Sequence, residues 1–231
     1  MPRDTLTAER IVRAAVELLD DEGLDGLNMR ALARRLGTAP TAVYWHIKTK
    51  DELVRLAGDA VWDEVEQPDP DATDWRSAAT AHATGLHAML TRHPWLGQAF
   101  GSHLMHGPGK ARHDDAALAL YEKAGFDPAD ADRAAATVFV LALGSALGPA
   151  AHVSLTRKLG RNGAHAEELM AEAMARATET AERYPRLRAR LGPPTAARYT
   201  AAPDHTFEFA LQAVLDGFEA RLSAGRTERG A

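Results

Sequence analysis

Residues 28–50 read NMRALARRLGTAPTAVYWHIKTK, and this stretch decides the fold. Asn28 stands as an N-cap before an apolar-periodic run, and Gly37 follows Leu36 where a left-handed residue ends a helix. That predicts a helix over Met29–Leu36. Pro40 suits a first helical turn, and Val43 and Ile47 then share an inward face, predicting a second short helix from Pro40 to about Ile47. Helix, tight turn and helix is the helix-turn-helix layout. On the second helix Thr41, Tyr44, Trp45 and His46 fall on the other faces, and two adjacent exposed aromatics make sense against a groove. Arg30, Arg34, Arg35, Lys48 and Lys50 add positive charge, with no Asp or Glu in the stretch. Such cations neutralise backbone phosphates, as do free N–H groups at helix starts, here near Thr38 and Thr49.

Working outward, Ile11, Ala14, Ala15, Leu18 and Leu19 keep helical spacing, with Thr7 to cap the helix and Gly23 to end it. Downstream, Thr49-Lys50-Asp51-Glu52 is a capping box, and Leu53, Leu56, Ala57, Ala60 and Val61 continue a stripe. Gln67-Pro68-Asp69-Pro70-Asp71 cannot extend a helix, which places a domain boundary between 1–66 and 67–231. Beyond it, helices are predicted from Thr73 or Asp74 to about Arg92, Arg112 to Ala124, Ala129 to about Ala150, His165 to Arg183 and His205 to Leu222. His106-Gly107-Pro108-Gly109 reads as a turn. Leu159–His165 reads as a mobile connection, and the chain from about Ser223 as a frayed tail. No stretch alternates with period two, so the fold class is all-α: a helix-turn-helix domain followed by a larger helical domain.

With 45% hydrophobic and 26% charged residues in 231, the composition is that of a soluble globular chain. The absence of cysteine excludes disulfides and thiolate chemistry, and nothing demands an oxidising compartment, so the cytoplasm is expected. Asp4 and Glu9 precede any apolar run, unlike a secretory leader. A net charge of -5 argues against coating nucleic acid indiscriminately. Ala134–Thr156 is uncharged and of bilayer length, yet it is rich in Ala and Gly, contains Pro149 and His152, and lacks an aromatic belt. A buried central helix is expected there, with Gly144 and Gly148 permitting close approach of another backbone, and no membrane partner.

Enzyme signatures are absent. Gly109-Lys110 superficially matches the end of a phosphate loop, but Leu104 occupies the first glycine position and no Ser or Thr follows the lysine. There is no GxSxG elbow, HExxH helix or dinucleotide fingerprint. His103 with His106, and His82 with His87, lack the further ligand zinc requires, so neither metal nor cofactor is expected. The alternative to a DNA-binding regulator is a non-catalytic helical interaction or scaffold protein, which leaves Tyr44 and Trp45 unexplained.

Leu6–Val61 resembles the tetracycline-repressor (TetR) family of bacterial one-component regulators. The resemblance rests on Ala15-Val16-Glu17-Leu18-Leu19, Gly23, Leu32-Ala33-Arg34-Arg35-Leu36-Gly37, Tyr44-Trp45-His46-Ile47-Lys48 and Lys50-Asp51-Glu52-Leu53. Phe207-Glu208-Phe209-Ala210-Leu211 through Gly217-Phe218-Glu219 resembles the C-terminal helix of the same branch. The resemblance implies a ligand-responsive repressor, a homodimer released from palindromic double-stranded operator DNA by a small molecule. It places Pro40, Thr41, Tyr44, Trp45 and His46 in the major groove, Arg30 on a base, and Lys48 and Lys50 on phosphates. Pro40 stands where the tetracycline repressors carry a base-reading Gln, and Ala42 is too small to hydrogen-bond, so the operator should differ. Four drug- and metal-contacting positions of the family correspond to Glu66, His82, Leu86 and approximately Phe100. Their altered chemistry argues against tetracycline with magnesium. A partly apolar pocket is expected from Leu86, Met89, Leu90, Phe100, His103, Phe139 and Leu143. The dimer is expected as a four-helix bundle of the Ala129–Ala150 helix or its neighbour with the His205–Leu222 helix, Phe207, Leu211, Leu215 and Phe218 forming one stripe that serves the interface or, alternatively, an intramolecular core.

Overall fold

The computed structural model describes residues 6–68, 74–161, 166–191 and 205–229. Of the predicted Leu159–His165 connection, residues 162–165 lie outside these residues, as does the core of the boundary at 69–73, while residues 159–161 are helical. Every regular element among those described is helical. The first is α1 (Ala8–Gly26), where the Thr7 hydroxyl accepts from the Arg10 N–H at 3.2 Å and Gly23, at φ 71°, breaks the helix before a last turn. Next comes α2 (Met29–Leu36), started by Asn28, whose side chain accepts from the Ala31 N–H at 2.9 Å, and ended by Gly37 at φ 65°. Then α3 (Pro40–His46) leads to α4 (Lys50–Ala60) and a 3-10 turn, Val61–Glu64. Thr49 caps α4, while Glu52 reaches back past Thr49 to the Lys48 N–H at 2.9 Å.

The second half holds α5 (Trp75–Arg92), α6 (Trp95–Ser102), α7 (Pro108–Ala124), α8 (Pro128–Arg161), α9 (Ala166–Glu182), α10 (Pro185–Arg188) and α11 (Thr206–Arg229). The elements differ from the sequence reading in several places, and α7 begins at Pro108, inside the predicted turn, instead of at Arg112. The helix α6 was not anticipated, α8 continues through Pro149 instead of ending near Ala150, and α11 runs to Arg229 instead of fraying at Ser223. Pro149 lies on an exposed face, where the main-chain acceptor its ring leaves unpaired has access to water.

Burial explains the arrangement. Ile11, Leu19, Leu32, Val43, Ile47, Leu53 and Val54 close the core of the first half, and Trp62, Leu86, Met89, Trp95 and Leu96 continue it into the second. The long α8 packs against α5, α6, α7, α9 and α11, so it is central. It is nevertheless not buried all round: Val140, Leu147 and Leu155 are exposed. It is the one helix among the described residues long and apolar enough for a bilayer, and here it forms the spine of a helical bundle.

The expected interface stripe is corrected. Phe207, Leu211 and Leu215 are buried within their own subunit, and Phe218 packs edge-on against Tyr121 and Phe126 at 5.8 and 5.6 Å between ring centres. One helical period satisfies an internal core as readily as an interface, and here α11 turns that face inward on α5 and α8. Phe209, 78% exposed, lies on the opposite side.

Candidate DNA-reading surface and effector site

The short α3 carries the candidate reading surface. Val43 and Ile47 are buried, which forces Thr41, Tyr44, Trp45 and His46 outward, with Trp45 81% exposed. Pro40 occupies the first turn and is exposed, as is Arg30 on α2. Lys48 folds back over α3: its Nζ donates to the Tyr44 and Trp45 carbonyls at 2.9 and 3.2 Å and lies 5.9 Å from the Trp45 ring centre. Lys50 donates to the Leu24 carbonyl at 2.7 Å. Both ammonium groups are thus held by main-chain carbonyls in the free chain. One expectation fails: the Thr38 N–H is not free, because it donates to the Ala33 carbonyl at 2.9 Å and closes the end of α2. Thr38 has only its half-buried side chain to offer.

In the second half, His82 on α5 and His113 on α7 stack with ring centres 4.5 Å apart. Trp62 leans on His113 at 4.7 Å, and Phe100 and Phe139 both lie 6.3 Å from Trp62 and 5.5 Å from each other. Lys110 sits over Trp62 and Phe139 at 5.5 and 5.4 Å and pairs with Asp114 at 2.6 Å. Both imidazoles are buried, and neither nitrogen of His82 nor Nδ1 of His113 has a hydrogen-bond partner. Burial pushes the His82 pKa down, opposed by the Glu66 backbone from outside hydrogen-bond geometry. His113 is pushed down to about 3 by burial, then by His82 and Lys110. Both rings are therefore neutral at pH 7, each carrying one N–H donor and one lone pair.

Of the residues expected to line a pocket, the structure gathers His82, Phe100 and Phe139 in this cluster. Leu86, Met89 and Leu90 are buried along α5, and Leu143 is half-buried on α8. The Glu66 side chain is exposed, and only its backbone approaches His82. His103 departs from expectation: its ring contacts Ser102 at 2.9 Å and Asp51 of α4 at 3.4 Å, placing it at the seam between the halves. Trp62, Lys110 and His113 were missed, although His113 shares helical spacing with the buried Ala117, Leu120 and Tyr121. A separate cleft of about 430 Å³ lies beside Phe126, Asp127, Asp130 and Arg221, away from these rings. Among the described residues no group of three metal-ligating side chains is assembled.

The two sites are joined. Asp59 of α4 accepts from the Gly109 and Lys110 N–H groups at 3.2 and 3.0 Å, capping α7 four residues before His113. A Cβ on Gly109 would stand 2.3 Å from the Asp59 carbonyl oxygen, so α7 approaches α4 as closely as backbones permit. Arg112 pairs with Asp63, and Arg55 reaches the His106 carbonyl at 3.4 Å.

Comparison with known proteins gives this geometry its context. Residues 67–222 match the family described as "Tetracyclin repressor-like, C-terminal domain", and residues 11–57 match "Bacterial regulatory proteins, tetR family". An HTH-type transcriptional regulator of Saccharopolyspora erythraea is 39% identical over 140 residues, covering 61% of this chain and 59% of that protein. The HTH-type transcriptional repressor DrrR1 of Streptomyces coeruleorubidus is 30% identical over 98% of this chain and 82% of its own length. The structure of the Streptomyces coelicolor TetR family protein ActR in complex with actinorhodin superposes with a TM-score of 0.70 at 27% identity, covering 94% of this chain and 97% of that one. The chain belongs to the TetR family of ligand-responsive, DNA-binding transcriptional repressors.

Proposed function

We propose that residues 1–66 read a palindromic operator, that residues 67–231 dimerise and bind an effector, and that the effector is a partly apolar small molecule other than tetracycline. The reading rests above all on the His82–His113 pair: two buried neutral imidazoles with three unpartnered nitrogens, walled by aromatic rings. Buried polar atoms are ordinarily hydrogen-bonded, so such a pair calls for a ligand that supplies the missing partners. Phe100 and Phe139, the half-buried walls, are the side chains a ligand would displace. Glu66, His82, Leu86 and Phe100 do not reproduce the drug- and metal-binding chemistry expected of a tetracycline site. In this reading the protein acts by binding alone, in the cytoplasm and without cofactor, which membership of a regulator family supports.

Two copies pair through the exposed stripe of α8, with Val140, Gly144, Leu147 and Gly148, and the face of α11 carrying Phe209. A Cβ on Gly144 or Gly148 meets nothing within 4 Å inside the chain, which leaves room for a partner helix. In such a dimer the two α3 helices must match half-sites about 34–36 Å apart. A ligand drawn in by His113 pulls on α7, Asp59 transmits that to α4, and the spacing of the reading helices changes. A useful switch needs a coupling of about 1–3 kcal/mol.

The test is binding of the purified protein to DNA flanking its own gene, beside a shuffled fragment, across a salt titration. Tight binding to the native fragment alone, lost when Tyr44 and Trp45 become Ala, supports the reading. Equal, salt-labile binding to both fragments, unaffected by the two substitutions, refutes the assigned reading surface.

A further inference from the structure

His93 follows the last residue of α5 and is 2% exposed. Its Nδ1 lies 2.7 Å from Asp20 Oδ1 on α1, and its Nε2 lies 3.0 Å from Glu64 Oε1 in the 3-10 turn. An ionised carboxylate only accepts hydrogen bonds, so both contacts exist together only if each ring nitrogen carries a hydrogen. The ring is therefore an imidazolium, buried between two carboxylates supplied by the DNA-reading half. The neighbours are held in turn. Asp20 Oδ1 also accepts from the Trp95 indole N–H of α6 at 2.8 Å, the Asp20 carbonyl accepts from Arg157 of α8, and the other Glu64 oxygen accepts from Arg92 of α5. These are the charged and polar groups that α1, the 3-10 turn, α5, α6 and α8 bring to the cluster.

We propose that His93 is a positioning residue for operator recognition: as a doubly hydrogen-bonded cation it fixes α1 and the end of α4 against α5 and α6, and so fixes the direction in which α3 is presented. It touches neither the reading surface nor the His82–His113 pair. It does terminate the helix that carries His82, Leu86, Met89 and Leu90, so displacement of that helix reaches α1 and the 3-10 turn through one ring. Loss of its proton would turn one donor into a lone pair facing a carboxylate oxygen at hydrogen-bond distance, and one side of the clamp would open.

The direction of the pH response follows. Burial opposes the charge, but Asp20 and then Glu64 outweigh it, holding the proton above the ordinary histidine value of 6.5. The clamp is therefore complete below about pH 6.5 and is lost as pH rises through the raised value.

The experiment uses the full-length protein and a duplex selected from a random pool by that protein. Operator affinity is measured by fluorescence anisotropy from pH 5.5 to 9 for wild type, His93→Gln and Glu64→Gln. The imidazole resonances are titrated by NMR in parallel, that of His93 being assigned by its absence in His93→Gln. Wild-type affinity should fall by up to about tenfold per pH unit through the His93 titration, since one proton is linked to binding. Glu64→Gln keeps the shape and an acceptor but removes a charge, so it should move that midpoint to lower pH. His93→Gln should bind at the wild-type high-pH level and lack the slope. The exposed face of α3, His46 included, is the same in all three proteins, so any pH dependence that arises there cancels in the comparison. A His93 that titrates at or below its ordinary value overturns the proposal, as does a midpoint unmoved by Glu64→Gln or a slope retained by His93→Gln. Should His93→Gln fail to fold, the affinity profiles of wild type and Glu64→Gln decide alone, and an affinity midpoint that Glu64→Gln leaves in place overturns the proposal.

Discussion

Replacing His82 by leucine should make the free protein more stable while removing its response to effector. Neither nitrogen of His82 has a partner, and Nδ1 of His113 beside it has none. A buried polar group left unsatisfied costs about 1–3 kcal/mol, and leucine of similar volume removes two such atoms from α5. The substitution also forfeits the ring stacking at 4.5 Å, worth about 0.5–1.5 kcal/mol. The balance is a gain of about 0.5–1.5 kcal/mol, which in a chain of this size raises Tm by about 1–6 °C. Calorimetry reads the first effect, and anisotropy of an operator duplex titrated with an effector identified on the wild type reads the second. His113→Leu should act in the same sense. A Tm lowered by several degrees in both variants, with effector release unchanged, would mean that the imidazoles serve the core, and the assignment of the effector site would fail.

Trp45→Ala should leave Tm unchanged within about 0.5 kcal/mol of stability, because the ring is 81% exposed, yet weaken operator binding by at least about 2 kcal/mol. Anisotropy and melting on the same sample check both halves of that statement. Leu147→Glu combined with Phe209→Glu alters only exposed side chains of the single chain, so light scattering should report one chain's mass with helical circular dichroism intact. Gly109→Ala drives a Cβ to within 2.3 Å of the Asp59 carbonyl, which cannot rotate away, and should cost about 1–3 kcal/mol, whereas Gly101→Ala meets nothing within 4 Å and should be silent in the same melts. Thermal stability should peak near pH 6.5. Below it, His82, His87 and His113, all held neutral mainly by burial, bind fewer protons than the unfolded chain and stability falls with pH; above it, the His93 contribution is lost. A Tm flat from pH 4 to 9 refutes the assignment of these shifts.

The first sixty residues were legible because their signals are local. The Asn28 side chain, the left-handed Gly37 and the Thr49 cap each act within four residues, so spacing alone places α2, α3 and α4 and leaves Trp45 outside. The second half was legible as helices but not as faces. Residues 95–102 carry Gly97 and Gly101 and present no clear stripe, so α6 was invisible. Pro149 reads as a stop, yet a helix held on several sides carries it on its exposed face. Phe207, Leu211 and Leu215 have the same spacing whether they meet a partner subunit or their own α5 and α8, and only the three-dimensional packing distinguishes the two. His82 was nameable by resemblance, whereas its pairing with His113 depends on how α5 and α7 cross, which no local pattern encodes.

The contacts between the two halves suit a switch better than a rigid weld. Asp59 gives both carboxylate oxygens to the first turn of α7, where amide donors without a partner inside the helix and the helix dipole favour a negative charge. Hydrogen bonds weaken steeply with distance and angle, so a small shift of α7 breaks both together instead of stretching them gradually. The net loss is about 1 kcal/mol for each bond, more where the donors remain buried. Opposed to it stands the cost already carried by the unpartnered nitrogens of His82 and His113, which a ligand able to hydrogen-bond them recovers. The two quantities are of one size, and that size is the coupling of about 1–3 kcal/mol by which effectors commonly shift the affinity of a second site. An apolar molecule that merely filled the space between Phe100 and Phe139 would gain area without satisfying those nitrogens. It would bind both states more nearly alike and leave the operator occupied.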